Sequence, residues 1–369
     1  IDAAVDGDSV LVSAGTYVEN INFNGKNIAL IGEDRETTII ESAGVPFSGF
    51  GLAPVFLLNS NETNGAIIKS LTIQNGEGGI YINNAHPIID DCIIKDNSDN
   101  GGGGIYMQYS NAIIKNSLII DNTANNGGGI SMWAQSSPII DNVQFINNSA
   151  NSDAGGAIAI YDSSPTISNS LIENNYAWGG NDGGGGIYIQ SSEVLLDNIE
   201  VKGNAVQTNG AGICIKSSTV EISNSLIKEN YSIGGGIYAL YAESSELLTT
   251  NTTFTQHTPT ECCQFATIQI KTTNATFTNV SIIDNYVAWA FVIDDPYFDY
   301  NVTFNNCLIA NNGLGEYGNT ELKLYAPGTF SFNNCTLSNN RIVNPHIIEM
   351  ASYGGHINIS NTILPFGKV

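Results

Sequence analysis

Flat rings and side-chain amides recur through the N-terminal two-thirds of the chain, at Tyr81, Tyr106, Gln108, Trp133, Tyr161, Tyr188 and Gln190. Tyr and Trp stack on the apolar faces of sugars while Gln bonds hydroxyls, so this set predicts a strip that binds a polysaccharide or cell-surface glycan. The same residues have a protective reading: stacked tyrosines shield a sheet face, at about 0.2 to 1 kcal/mol per pair. A second set is charged: Lys271, Asp294 or Asp295, Lys323 and Glu349. Read as an enzyme, Asp295 and Glu349 would be the acid pair, or Lys323 the base of a lyase. Read structurally, the signs alternate plus, minus, plus, minus, as on a solvated face that satisfies its own charges for a small gain. A third set, Asp99, Asp153 and Asp182, lies in loops just before glycine pairs. Carboxylate and carbonyl oxygens there could meet a calcium ion, and solvated loop acids fit the same pattern.

A repeat places these residues. A glycine pair shortly before an isoleucine marks Ile80, Ile105, Ile130, Ile158, Ile187, Ile213 and Ile237, with steps of 25, 25, 28, 29, 26 and 24 residues. A second marker runs Asp91, Asn116, Asn142, Asn169, Asn198, Asn224, Asn251, Asn279, Asn306, Asn334 and Asn361. Six residues after most of these comes another Asn, from Asn97 to Asn340, with His257 in that place once. Self-similarity at such a period means a solenoid or a propeller. Each unit holds short runs of period-two alternation and no helical stripe, and about three strands fit the period, too few for a propeller blade. The fold predicted is all-β: a right-handed single-stranded parallel β-helix of about 12 coils, right-handed by the general rule for parallel crossovers. Like residues then stack from coil to coil at about 4.8 Å. With Ile inward, the next residue points out (Tyr81, Tyr106, Ser131, Ala159, Tyr188, Cys214, Tyr238), and so does the one two further on (Asn83, Gln108, Trp133, Tyr161, Gln190, Lys216, Leu240). That face is aromatic and amide and almost uncharged. It lacks the two carboxylates, roughly 5 to 9.5 Å apart, that glycoside hydrolysis needs.

Composition agrees with one long domain over 1–369: 42% hydrophobic residues, 13% charged residues and 39 glycines. Residues 1–65 read as opening coils interrupted by a loop at 45–52, residues 66–240 as regular coils, and residues 241–369 as Thr- and Asn-rich coils. A net charge of −23 disfavours nucleic acid and anionic surfaces. No apolar run is long enough to span a membrane, so this segment is not expected to insert into one. The chain opens without Met and already inside the repeat, which predicts an export signal and capping segments elsewhere in a longer secreted or cell-surface protein. Cys307 and Cys335 each follow an Asn marker and should stack in adjacent coils within disulfide range; buried thiols fit the same positions.

Gly155-Gly156-Ala157-Ile158 and Phe145-Ile146-Asn147-Asn148 resemble the paired GGAI and FxxN repeats of chlamydial polymorphic outer-membrane proteins. The opening stretch from Asp6 to Tyr17 is similar to that of the pectin-lyase-like β-helix proteins secreted by bacteria. The resemblance implies the β-helix fold over nearly the whole chain. It also implies that a polysaccharide would lie along the outer face of one strand stack. It does not choose an activity, because the group holds lyases, hydrolases, epimerases, adhesins and stalks. The polygalacturonase signatures are absent, with Gly354-Gly355-His356 a partial echo, and the only arginines are Arg35 and Arg341. The reading that follows is a structural or adhesive module with glycan binding on the Tyr/Trp face. A polysaccharide lyase or hydrolase using the charged stack and a passive spacer are the alternatives.

Overall fold

The computed structural model describes residues 1–48, 51–152, 154–178, 183–234, 236–258, 266–294, 297, 299–313, 322–338, 340, 348–350 and 355–364. It has two compact units, Ile1–Trp178 and Gly179–Val369. Among the described residues every regular element is a strand.

In the first unit one coil consists of Ile105–Gln108, Ile113–Lys115, Leu118–Ile120 and Thr123–Ala124. These belong to sheets C, A and B and a short sheet D, and each pairs in parallel with its counterpart in the next coil. Register is strict: Ile105 lies between Ile80 and Ile130, and Met107 between Ile82 and Met132. All six side chains are buried. The strands form because apolar residues alternate with polar ones, and stacking in register gives each inward isoleucine like neighbours above and below. A buried Ile or Leu contributes about 1.5 to 3 kcal/mol, so the column dominates the stability of each coil.

The second unit repeats the plan with Ile213–Lys216, Thr219–Ser223, Leu226–Lys228 and Tyr231–Ser232. Its sheet A strands widen to six residues at Tyr300–Asn305 and Gly328–Asn333. Its core turns aromatic: Phe277, Phe304 and Phe332 stack at 4.9 and 5.0 Å, with Phe291 edge-on to the first two.

The two Asn markers separate into different jobs. The first occupies the left-handed turn between sheets A and B, with φ of 53° at Asn116 and 55° at Asn142 in the first unit and 51° at Asn224 and 48° at Asn251 in the second. Asn tolerates this conformation because its short polar side chain bonds locally. These residues do line up along each unit, Asn142 donating to Asn116 at 2.9 Å and Asn279 to Asn251 at 3.0 Å. The second marker is the buried one. Asn122 donates its backbone N–H and its amide Nδ2 to Asn148 Oδ1 at 3.1 and 3.0 Å, and Asn148 does the same to Asn175 at 2.8 and 3.0 Å. Such a column satisfies turn amides that the sheets leave unpaired.

One expected register is corrected. Leu240, not Ile237, pairs with Ile213, and Tyr241, not Tyr238, pairs with Cys214. The glycines before Ile237 belong to the connecting turn, and the inward column selects Leu240 and Ala242, whose alternation continues that of Ile213 and Ile215. Cys307 and Cys335 are buried free thiols flanking the matched pairs Asn305–Asn333 and Leu308–Thr336. A hydrogen bond shared with Cys335, together with burial, pushes the Cys307 thiol up, and the same bond draws the Cys335 thiol down.

Candidate glycan-facing surface

Sheet C carries both sets singled out in the sequence. In the first unit Tyr81 and Tyr106 are cross-strand partners, and their rings stack at 5.0 Å and 19°. Gln108 Nε2 donates to Tyr81 Oη at 3.2 Å. Burial, more than the Tyr81 phenol or Asp99, pushes the Tyr106 hydroxyl up to about 12. Trp133 and Tyr161 form a second stack, at 4.0 Å and 15°. Their polar tips are tied down: Trp133 Nε1 donates to Ser131 Oγ at 2.9 Å and Tyr161 Oη to Asn126 Oδ1 at 2.9 Å. Gln108 is the cross-strand partner of Trp133 on its other side. All five side chains are half-buried.

This differs from the single platform expected. Tyr81 and Tyr106 follow the inward isoleucine directly, whereas Trp133 and Tyr161 stand two residues further along the strand. The rings therefore make two separate pairs, and each ring gives one face to its partner. The intervening positions, Ser131 and Ala159, are fully buried. In the second unit Tyr188 holds the first of these positions, but the strip does not gain an exposed ring there, because Tyr188 is 0% exposed. The glycine turn before the strand lies on it: a Cβ at Gly184 would come within 2.9 Å of Tyr188 Cβ. Gly184 also has φ +80°, so a side chain is disfavoured twice over. The Tyr188 hydroxyl donates to Gln190 Oε1 at 2.8 Å, and Gln190 remains half-buried.

The charged residues also divide. Lys271 pairs with Glu243 and Asp294 with Tyr325, both in the outer column of sheet C. Lys323 pairs with Glu349 in the other outward column, directly after the inward position. They are not one stack, because Lys271 and Asp294 stand two residues further along the strand than the column of Lys323 and Glu349. Asp295 lies outside the described residues, as do the side chains of Asp294 and Glu349. The Lys323 ammonium sits over the rings of Tyr325 and Trp289, 4.3 and 5.3 Å from their centroids. What the sequence reading missed is that the alternation begins earlier, with Lys216, Glu243 and Lys271 in successive coils. Lys271 Nζ is 2.9 Å from Glu243 Oε1, and Tyr241 Oη donates to Glu243 Oε2 at 3.1 Å. Burial works to raise the Glu243 carboxyl, but the Lys271 bond and charge, with Tyr241 and Lys216, outweigh it and hold it low. The corrected register at Leu240 would have exposed this column, since it moves Glu243 into line with Lys216.

Of the three loop acids, Asp153 and Asp182 lie outside the described residues. Asp99 Oδ2 accepts the Gly101 N–H at 3.3 Å, closing its own turn.

Stacked in-register coils around an isoleucine column, with an Asn ladder at one corner, define a parallel β-solenoid. The chain belongs to the family described as right handed beta helix region, which it matches over residues 55–227 and 186–364. No curated protein matches it. Among solved structures it is similar to the catalytic unit of the thermostable GH87 alpha-1,3-glucanase from Streptomyces thermodiastaticus strain HF3-3. That match has 11% identity and a TM-score of 0.44, covering 99% of this chain and 65% of that one. It is likewise similar to the A-module of the mannuronan C-5 epimerase AlgE4 of Azotobacter vinelandii, at 13% identity and a TM-score of 0.44, covering 95% and 91%. The chain spans 64% of the length of another GH87 alpha-1,3-glucanase catalytic domain that it matches, so a large part of such a domain has no counterpart here.

Proposed function

We propose that the chain is a structural and adhesive β-helix module of a secreted or cell-surface protein, and that sheet C of its first unit contacts an uncharged glycan. The observation that carries this reading is the Trp133–Tyr161 stack, half-exposed and fixed at both polar tips. Its outward neighbours in that column, Asn83 and Gln108, supply amides and no charge. Rings whose rotamers are already locked lose little freedom when a ligand arrives, which favours binding. Because each ring shares one face with its partner, a sugar meets ring edges and amides. Affinity is therefore modest and nearly independent of salt.

The test is a neutral-glycan array probed with the intact chain, wild type against the double variant W133A/Y161A. The wild type binds, and the variant loses binding while its melting temperature falls by only a few degrees, since the stack contributes about 0.5 to 1.5 kcal/mol. A wild type that binds nothing on the array makes the rings cladding and the molecule a spacer. A second reading, a polysaccharide lyase or hydrolase, draws on the Lys216–Glu243–Lys271 column with Tyr241 against it. Glu243 is engaged by both Lys271 and Tyr241, which suits charge compensation better than proton transfer.

A further inference from the structure

The most exposed tryptophan of the described residues lies on neither pair. Trp178 is 56% exposed and follows the short sheet D strand Tyr176–Ala177. Its backbone is fixed, the N–H donating to Ala150 O at 2.8 Å, and Tyr176 meets its ring edge-on at 6.5 Å and 82°. Much of the indole thus stands in water at a strand end, with Tyr176 against its edge.

The register explains what stands beside it. Ser98, Thr123, Ser149 and Tyr176 are partners in successive coils, and so are Ala124, Ala150 and Ala177. One position further along, the same alignment sets Asn100, Asn125, Asn151 and Trp178 in a single outward column. The amides of this column are ordered by one another and by nearby hydroxyls. Asn125 Nδ2 donates to Asn100 Oδ1 at 3.2 Å, Ser152 Oγ to Asn125 Oδ1 at 2.9 Å, and Ser149 Oγ to Asn151 Oδ1 at 3.0 Å. Three amides and an indole, with no charge among them, follow the axis at one residue per coil, about 4.8 Å.

We propose that the column Asn100–Asn125–Asn151–Trp178 is a binding subsite for an uncharged oligosaccharide. It rests on the glycan-binding reading above and adds a second site to it. A pyranose stacks on the exposed part of the Trp178 ring, and the amides of Asn151 and Asn125 bond the hydroxyls of the next residues along the chain. A coil step is close to the length of one sugar residue, so the column offers one amide per residue. Tyr176, edge-on, sets the orientation of the indole and leaves the outward face to the ligand. No charge is involved, so binding here also resists salt.

The experiment uses the full chain labelled with 5-fluorotryptophan, whose three resonances are assigned with W133F, W178F and W289F. It is titrated with cellohexaose, laminarihexaose and mannohexaose. The expected result is a shift of the Trp178 resonance with at least one hexaose. Affinity for that hexaose should fall at least tenfold in W178A and a few-fold in N151A, with the thermal midpoint unchanged, because both side chains are exposed. A hexaose that shifts Trp133 while leaving Trp178 in place overturns this subsite and keeps the reading of the Trp133–Tyr161 pair. A response at Trp178 alone does the reverse. Silence at both tryptophans with all three hexaoses overturns both, and W178A binding as tightly as wild type overturns the subsite whatever the spectra show.

Discussion

His257 is the residue at which sequence and chemistry meet most sharply. It stands in the buried Asn column of the second unit, where its imidazole reproduces both functions of the amide. The tautomer with Nδ1 accepting the Asn230 N–H at 3.2 Å and Nε2 donating to Ile227 O at 3.2 Å fits this site, with Asn230 O also 3.2 Å from Nδ1, and the backbone N–H of His257 donates to Asn285 Oδ1 at 3.2 Å. Only the neutral ring can accept and donate in this way. Burial lowers its pKa from 6.5 to about 4, against two backbone bonds that act to raise it. The unfolded chain therefore binds a proton more readily than the folded one. The stability that depends on the neutral ring is intact above pH 6.5 and is lost as pH falls toward 4. The loss is on the order of 3 kcal/mol at the acid end of that window. Thermal melts between pH 7 and 4 should show a wild-type midpoint that falls faster than that of H257N, which keeps the ladder and removes the titration. Parallel curves would mean that the ring is not the titrating group.

At the scale of the element, the two Asn columns look alike in sequence and differ in what their loss costs. Asn148 Oδ1 accepts both the backbone and the side-chain amide of Asn122, and its Nδ2 donates to Ile119 O at 2.9 Å. N148A strands these buried groups and should cost about 3 kcal/mol in urea unfolding. Asn142 is in the left-handed turn with its side chain exposed, and N142A should cost about 1 kcal/mol. Equal losses would erase the distinction between the columns. The period, the inward isoleucines and the left-handed asparagines were all legible in the sequence, since each is a local property repeated at one spacing. The burial of the second Asn column was not, because it depends on which side of a turn faces inward. Tyr188 shows the limit of alternation: period two correctly turned it away from the core, but a glycine turn from the same coil covers it. Leu240 shows another limit. The glycine marker belongs to a turn of variable length, so the strand register must be read from the inward pair rather than from the glycines. Trp178 carries no repeat signal of its own, and only the sheet D pairing aligned it with Asn100, Asn125 and Asn151.

For the whole molecule, the excess of acidic side chains sets the response to salt. With a net charge of −23, the folded chain repels itself, and raising NaCl from a few millimolar to physiological levels should lift the melting temperature by a few degrees. A midpoint that drops with salt would mean that attractive pairs such as Lys271–Glu243 outweigh the repulsion. For catalysis, pectate, alginate and neutral glycans incubated with the chain should give no unsaturated product at 235 nm and no new reducing ends. Turnover that vanishes in K323A or E243Q, with the fold retained, would move the molecule to the enzymes of the β-helix group.

The offset of hydrogen-bond partners has a consequence for how such a chain can change. Asn97 bonds the residue 25 positions on, Asn122 the one 26 on, Asn148 the one 27 on and Asn285 the one 27 on. Each coil thus speaks mainly to its neighbours, and in the ladder it does so mostly through like side chains, Asn to Asn, with His257 the exception. Removing or duplicating one whole period rejoins an Asn to an Asn and an Ile to an Ile. Removing half of one turns the core outward. A chain built this way can be lengthened or shortened by a whole coil while its inward and ladder columns stay in register.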